Sequence, residues 1–203
     1  MSITLDTVKK AVISKGYKWF EDTSNKGYDV NIIGIRNSET GGKVTNHFDD
    51  TLTISYKDES GEWKFHSWPA TTDPGQYWIE NPISKDGTAI LVPGQYRGSH
   101  MIRKHQGKYE ALGQKKPVKV YRDNDKDLEY DTDEDTIKEG IYGINIHRSN
   151  PYDESYYVNK WSAGCQVFKK VADFHEFMDI CRKARNIWGN SFSYTLIESK
   201  ELV

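Results

Sequence analysis

From Tyr28 onward, turn signals cut the chain into short segments whose apolar residues fall on every second position, a spacing that suits extended strands with one buried face. Leu52, Ile54 and Tyr56 alternate within Thr51 to Lys57, and Asp58-Glu-Ser-Gly61 supplies the turn into Trp63 to Trp68, which predicts a hairpin. Tyr28 to Arg36, Ala89 to Val92, Pro117 to Tyr121 and Ile141 to His147 read as further strands. Phe192, Tyr194 and Leu196 alternate in a last strand after the Gly189-Asn190 turn. The 13 Tyr and 6 Trp, beside a modest aliphatic content, agree with a β-rich architecture.

Two segments carry helical spacing instead. Over residues 4–22, Leu5, Val8 and Val12, and less regularly Trp19 and Phe20, recur at a helical interval behind Thr4 or Asp6 as a cap. From Val171 to Ala184, Phe174, Phe177, Met178 and Cys181 share one face. Asp173 lies near the start, and Arg182, Lys183 and Arg185 lie near the end, as the helix dipole favours. The expected fold is therefore mainly β with flanking helices. Residues 1–27 are read as an N-terminal helix packed on the domain and 28–203 as the domain itself, with Trp63 and Trp68 as core.

A chain of 203 residues with a formal charge of -2 has no basic excess to attract a polyanion, so nucleic acid is not an expected partner. No apolar run is long enough for a membrane span. Lys9, Lys10, Lys15 and Lys18 interrupt what would otherwise be the apolar core of a secretory signal, which leads us to expect synthesis in a cytoplasm. Two cysteines do not make a disulfide framework, and both are read as free thiols: Cys181 as core, Cys165 as reactive.

The chemistry concentrates in Gly143-Ile-Asn-Ile-His147 and Trp161-Ser-Ala-Gly-Cys165, with the cysteine eighteen positions after the histidine. A strand through Ile141 to His147 sets Tyr142, Ile144 and Ile146 on one face and Gly143, Asn145 and His147 on the other. Residues 148–160 are polar, contain Pro151, and return the chain toward Cys165. An imidazole beside a thiol accepts its proton and lowers its pKa by holding the ion pair. Gly164 lets a substrate carbonyl approach, and the amides of Gly164 and Cys165 are suited to an oxyanion. The competing reading is a buried cysteine beside an unrelated histidine.

With the histidine first, the segment from Ile144 to Phe168 resembles the catalytic motif of the L,D-transpeptidases, in which a His is followed, at the same separation, by Ser-His-Gly-Cys. Ser162, Gly164 and Cys165 match that signature, and His147 matches the general base. Thr71-Thr-Asp-Pro-Gly75-Gln-Tyr is similar to the family's Thr-Pro-x-Gly-x-Phe/Tyr stretch, and the helix with Phe174 and Phe177 resembles the element after the nucleophile. Ala163 replaces the second histidine, and Val167 stands where the family has Arg or Asn, a departure that weakens cross-linking more than catalysis. Trp-Ser-Ala-Gly-Cys-Gln looks like a divergent branch of phage and bacterial genomes. The resemblance implies an L,D-transpeptidase-like β-sandwich or barrel acting on peptidoglycan stem peptides, without a cofactor. It also implies that the backbone carbonyl of Arg148 orients His147, with the Asn145 side chain as competitor.

Tyr96-Arg97-Gly-Ser-His100 offers aromatic and cationic groups for a stem-peptide carboxylate, although an exposed turn has the same composition. Ser162, Asn145 and Trp161 are further candidate substrate contacts. No metal spacing such as His-Glu-x-x-His accompanies His100, His105 and His147. Asp123-Asn-Asp125-Lys-Asp127 begins like a calcium loop, with Asp131 and Glu134 downstream. Leu128 sits where an EF-hand turn needs Gly, so a solvated acidic loop is expected. The leading expectation is a cysteine acyl-transfer enzyme of the cell wall, hydrolytic and working as a lysin or delivered effector. Its rivals are a cross-linking L,D-transpeptidase, a non-catalytic wall-binding or virion component, and a metallopeptidase.

Overall fold

In the computed structural model, which describes residues 2–202, Thr4 caps the first helix, α1 (Leu5–Ser14). The Thr4 and Thr7 hydroxyls each accept the other residue's backbone N–H, at 3.0 and 3.3 Å, satisfying two otherwise free donors. The helix stops well short of residue 22: Lys15 leaves the helical conformation and Gly16 is left-handed. Trp19 still packs with Val8, Ala11 and Val12 against Ile33, Ile35 and Ile197.

The remaining elements are β1 (Asn31–Arg36), β2 (Asp50–Lys57), β3 (Trp63–Thr71), α2 (Gln76–Glu80), β4 (Thr88–Leu91), β5 (Gly94–His105) and β6 (Tyr109–Gln114). They continue with β7 (Val118–Asp123), β8 (Lys138–Gly140), β9 (Ile146–Arg148), β10 (Gln166–Phe168), α3 (Val171–Trp188) and β11 (Phe192–Glu198). Eight strands close a barrel in the order β1-β11-β5-β6-β9-β10-β3-β2, parallel at β1/β11 and β9/β10 and antiparallel elsewhere. β4, β7 and β8 make a separate antiparallel sheet. The architecture is mainly β, with three helices. Among the described residues no helix is long and apolar enough to cross a membrane.

β1 is buried at all six positions because both faces are covered: Ile32 faces the main core while Ile33 and Ile35 face α1. It starts at Asn31 rather than Tyr28, whose backbone has a positive φ of 59°. The predicted hairpin forms as β2 and β3, placing Trp68 against Phe168 and Phe177 in the core and Trp63 against Trp19. Phe174, Phe177, Met178 and Cys181 of α3 fill the same core, and the helix runs on to Trp188.

Two strand expectations need correction. The Tyr96–His100 stretch is part of β5, not an exposed turn. The stretch Ile141 to His147 is strand only from Ile146, because Gly143 turns the chain with φ 74°. Gln114 substitutes for a neighbouring strand there. Its side-chain Oε1 accepts the Tyr142 and Ile144 N–H groups at 3.1 and 2.9 Å, while its Nε2 donates to the Lys116 and Gly140 carbonyls.

Candidate active site

The parallel pair β9/β10 sets the site. Gln166 aligns with Ile146 and Val167 with His147, and the Gln166 N–H donates to the Asn145 carbonyl at 2.8 Å. Cys165, two residues before Val167, therefore projects from the same side of the pair as His147. Antiparallel neighbours can be joined by a short hairpin, whereas parallel strands need a crossover. The segment 149–165 supplies it.

His147 is buried, and its Nδ1 lies 2.7 Å from the Arg148 carbonyl, with the Tyr109 hydroxyl 3.4 Å from both. Donation from Nδ1 to that carbonyl leaves Nε2 as the basic nitrogen, and Nε2 has no hydrogen-bond partner among the described residues. The ring stacks on His105 at 4.2 Å. Asn145 is not the orienting group: its side chain accepts the Gln114 N–H and reaches His105 instead.

Cys181 is a free cysteine fully buried in the core, and Cys165 is a half-buried free cysteine. Its Sγ donates to the Gly143 carbonyl at 3.2 Å rather than to His147. Burial pushes its thiol up to about 11, and burial, reinforced by His105, pulls His147 down to about 3. The pair at rest is a neutral thiol and a neutral imidazole, not the ion pair that the sequence suggests, because the low-dielectric setting disfavours both charged forms. A hydrogen bond from this thiol to His147 would take the place of the one to Gly143.

The turn before Cys165 is held from several sides. Gly164 has φ 116°, and a Cβ there would stand 2.4 Å from the Ala89 carbonyl oxygen, so only glycine fits. Ser162 is fully buried, not a substrate contact. Its hydroxyl donates to the Cys165 carbonyl at 2.7 Å and accepts the Gly164 N–H at 3.2 Å. That removes the Gly164 amide from oxyanion duty, whereas the Cys165 N–H has no acceptor among the described residues. The Gly75 N–H donates to the Ser162 carbonyl at 2.9 Å, which ties Thr71-Thr-Asp-Pro-Gly75 to the turn.

Beneath the turn lies a buried polar layer. Gln166 donates to the Gly164 and Thr72 carbonyls and accepts the Tyr194 hydroxyl at 2.7 Å. Asp50 accepts both the N–H and the hydroxyl of Thr72, and burial together with Asp73 pushes its carboxyl up. Arg36 Nε stands 2.8 Å from Asp73 Oδ1, a close ion pair whose angle misses hydrogen-bond geometry.

Two cavities meet at Cys165, sharing Trp78, Ile83, Ala163 and the cysteine itself. The larger, about 680 Å³, is also lined by His105, Lys108, Tyr109, His147, Arg148, Lys160 and Trp161. The smaller, about 340 Å³, is also lined by Ser84, Gly87, Thr88, Ala89, Arg122, Tyr142 and Gly143. Protein-family models, curated proteins and solved structures give no significant match. The site therefore has to be read from its own geometry.

That geometry brings Cys165, His147, Arg148 and Trp161 together and leaves other candidates out. His100 is fully buried, with its ring nitrogens 2.8 Å from the Ser99 hydroxyl and the Ile144 carbonyl, and burial lowers it to about 4. It supports the Ile144 segment and meets no substrate. Tyr96 donates to the Val92 carbonyl and Arg97 lies over the Phe20 ring, so neither lines the groove. The sequence reading missed Tyr109, Trp78, Ile83 and Gln114, and weighed His105 only as a metal ligand. These reach the site from β5, β6, α2 and the 81–87 turn, and no local spacing links them to the cysteine.

Proposed function

We propose that this chain is an L,D-transpeptidase-like cysteine acyl-transfer enzyme acting on peptidoglycan stem peptides. The observation that carries the reading is Cys165 at the junction of a two-armed groove, with an Nδ1-anchored His147 lining the larger arm. Acyl transfer at a peptide needs room on both sides of the attacked carbonyl. The larger arm, with Lys108, Arg148 and Lys160, suits the carboxylates of a stem peptide.

In this reading His147 Nε2 takes the Cys165 proton as Sγ attacks the carbonyl carbon, and the Cys165 N–H stabilises the oxyanion. Collapse of the tetrahedral intermediate breaks the C–N bond, and the imidazolium returns its proton to the leaving amine. Water attack on the thioester completes hydrolysis, and attack by another stem peptide's amine gives a cross-link. Val167 is buried in the position where the family has Arg or Asn, which favours hydrolysis, as expected of a lysin or delivered effector.

The test is digestion of purified muropeptides followed by mass analysis, with Cys165→Ala and His147→Ala alongside. Loss of a terminal D-residue or splitting of cross-linked dimers supports hydrolysis, and mass gain from an added amine supports transfer. Turnover that survives in Cys165→Ala sinks the proposal. One observation favours a second reading as a non-catalytic wall-binding component: the resting thiol is bonded to Gly143 rather than to the base. That reading predicts no product with any muropeptide.

A further inference from the structure

The acidic loop after β7 holds a feature the groove does not use. Asp123, the last residue of β7, is fully buried; its Oδ2 accepts the Asp131 N–H at 3.3 Å, while its Oδ1 has no partner. A buried carboxylate oxygen without donor or cation is costly, and native structures rarely leave one. One carboxylate oxygen from each of Asp123, Asp125 and Asp131 lies within 4.8 Å of the other two. None of the three forms an ion pair with Lys or Arg among the described residues, and Lys138 on the neighbouring β8 pairs with Asp86 instead.

We propose that Asp123, Asp125 and Asp131 bind one Ca²⁺, with water or loop carbonyls completing the shell. An all-oxygen donor set selects a hard cation. Three carboxylates on one cation suit Ca²⁺, which takes about six to eight oxygen ligands, better than Mg²⁺, which keeps several waters and takes one or two carboxylates. A cation beside this carboxylate also compensates the buried charge that the orphaned Oδ1 leaves without a donor. This is not an EF-hand: β7 enters the loop where a helix would, and Leu128 occupies the turn.

Such an ion would brace more than its own loop. The Tyr130 N–H donates to the Gly42 carbonyl at 2.7 Å, and the Val44 N–H donates to the Leu128 carbonyl at 2.8 Å. The Tyr130 hydroxyl donates to the Pro74 carbonyl at 2.9 Å, next to the Gly75 amide that holds Ser162. The cation is thus linked to the side of the nucleophile turn, whatever reaction the cysteine performs.

The experiment is calorimetric titration of chelator-treated full-length chain with CaCl2, paired with thermal melts. The expected result is one Ca²⁺ per chain and a Tm rise of about 5 °C or more at saturation, with a much smaller rise for MgCl2 at equal ionic strength. Asp125 is exposed and Asp131 half-buried, so Asp125→Asn and Asp131→Asn should keep the native circular dichroism yet lose roughly tenfold or more in Ca²⁺ affinity. No binding heat and no Tm change up to about 10 mM Ca²⁺ would overturn the site. Wild-type affinity in both variants would do the same, and an equal response to Mg²⁺ would overturn its assignment to calcium.

Discussion

At the residue scale, the decisive fact is where protons rest. With Cys165 pushed up to about 11 and His147 pulled down to about 3, the thiolate is scarce at neutral pH. Alkylation by iodoacetamide follows the thiolate, so its rate at Cys165 should rise about tenfold per pH unit between pH 7 and 10. Mass analysis with Cys181 as the slower internal reference measures this, because complete burial raises that thiol further and hides it. A rate already level at pH 7 would instead mean a preformed ion pair. That His147 and Cys165 line one groove was legible because it depends on one strand, one loop and one turn, and the contact of His147 with the Arg148 carbonyl is the one the family resemblance implied. Their charge state was not legible, since it depends on what buries them.

At the scale of elements, Gln114 matters most. One buried amide stands in for a missing strand along residues 140–144, the stretch that presents the Gly143 carbonyl to Cys165. Gln114→Leu leaves the Tyr142 and Ile144 N–H groups and two carbonyls without that partner. Urea unfolding should register a loss of roughly 3 kcal/mol or more. A loss below about 1 kcal/mol would show that the segment holds itself.

Hydropathy gave no hint of this role, because a lone glutamine at the end of a strand reads as surface. β5 escaped for the same reason. Its Ser99 and His100 are buried but polar, satisfied by bonds that periodicity cannot register, while Arg97, Arg103 and Lys104 keep it looking like a loop. β2 and α3 were legible because each buries an apolar face, and β3 because the Asp58–Gly61 turn pairs it with β2.

At the scale of the whole molecule, burying neutral imidazoles couples stability to acidity. The unfolded chain binds a proton at His147 near its ordinary value of 6.5, whereas the folded chain does so only near 3. Between those values the unfolded state holds more protons, so this contribution is complete above about pH 6.5 and is lost as pH falls toward about 3. Urea midpoints taken from pH 4 to 6 should therefore fall more steeply on acidification for the wild type than for His147→Gln. Converted to unfolding free energies, the slopes should differ by about 1.4 kcal/mol per pH unit. Parallel slopes would mean that His147 is hydrated and titrates normally.

The barrel's seam has a consequence of its own. β1, near the start of the chain, zips in parallel onto β11, near its end, so the ring closes only after residue 198 has left the ribosome. His147 and Cys165 are translated dozens of codons earlier, yet the layer under them waits for Tyr194 to reach Gln166. A truncated nascent chain would carry both reactive side chains without the floor that aligns them.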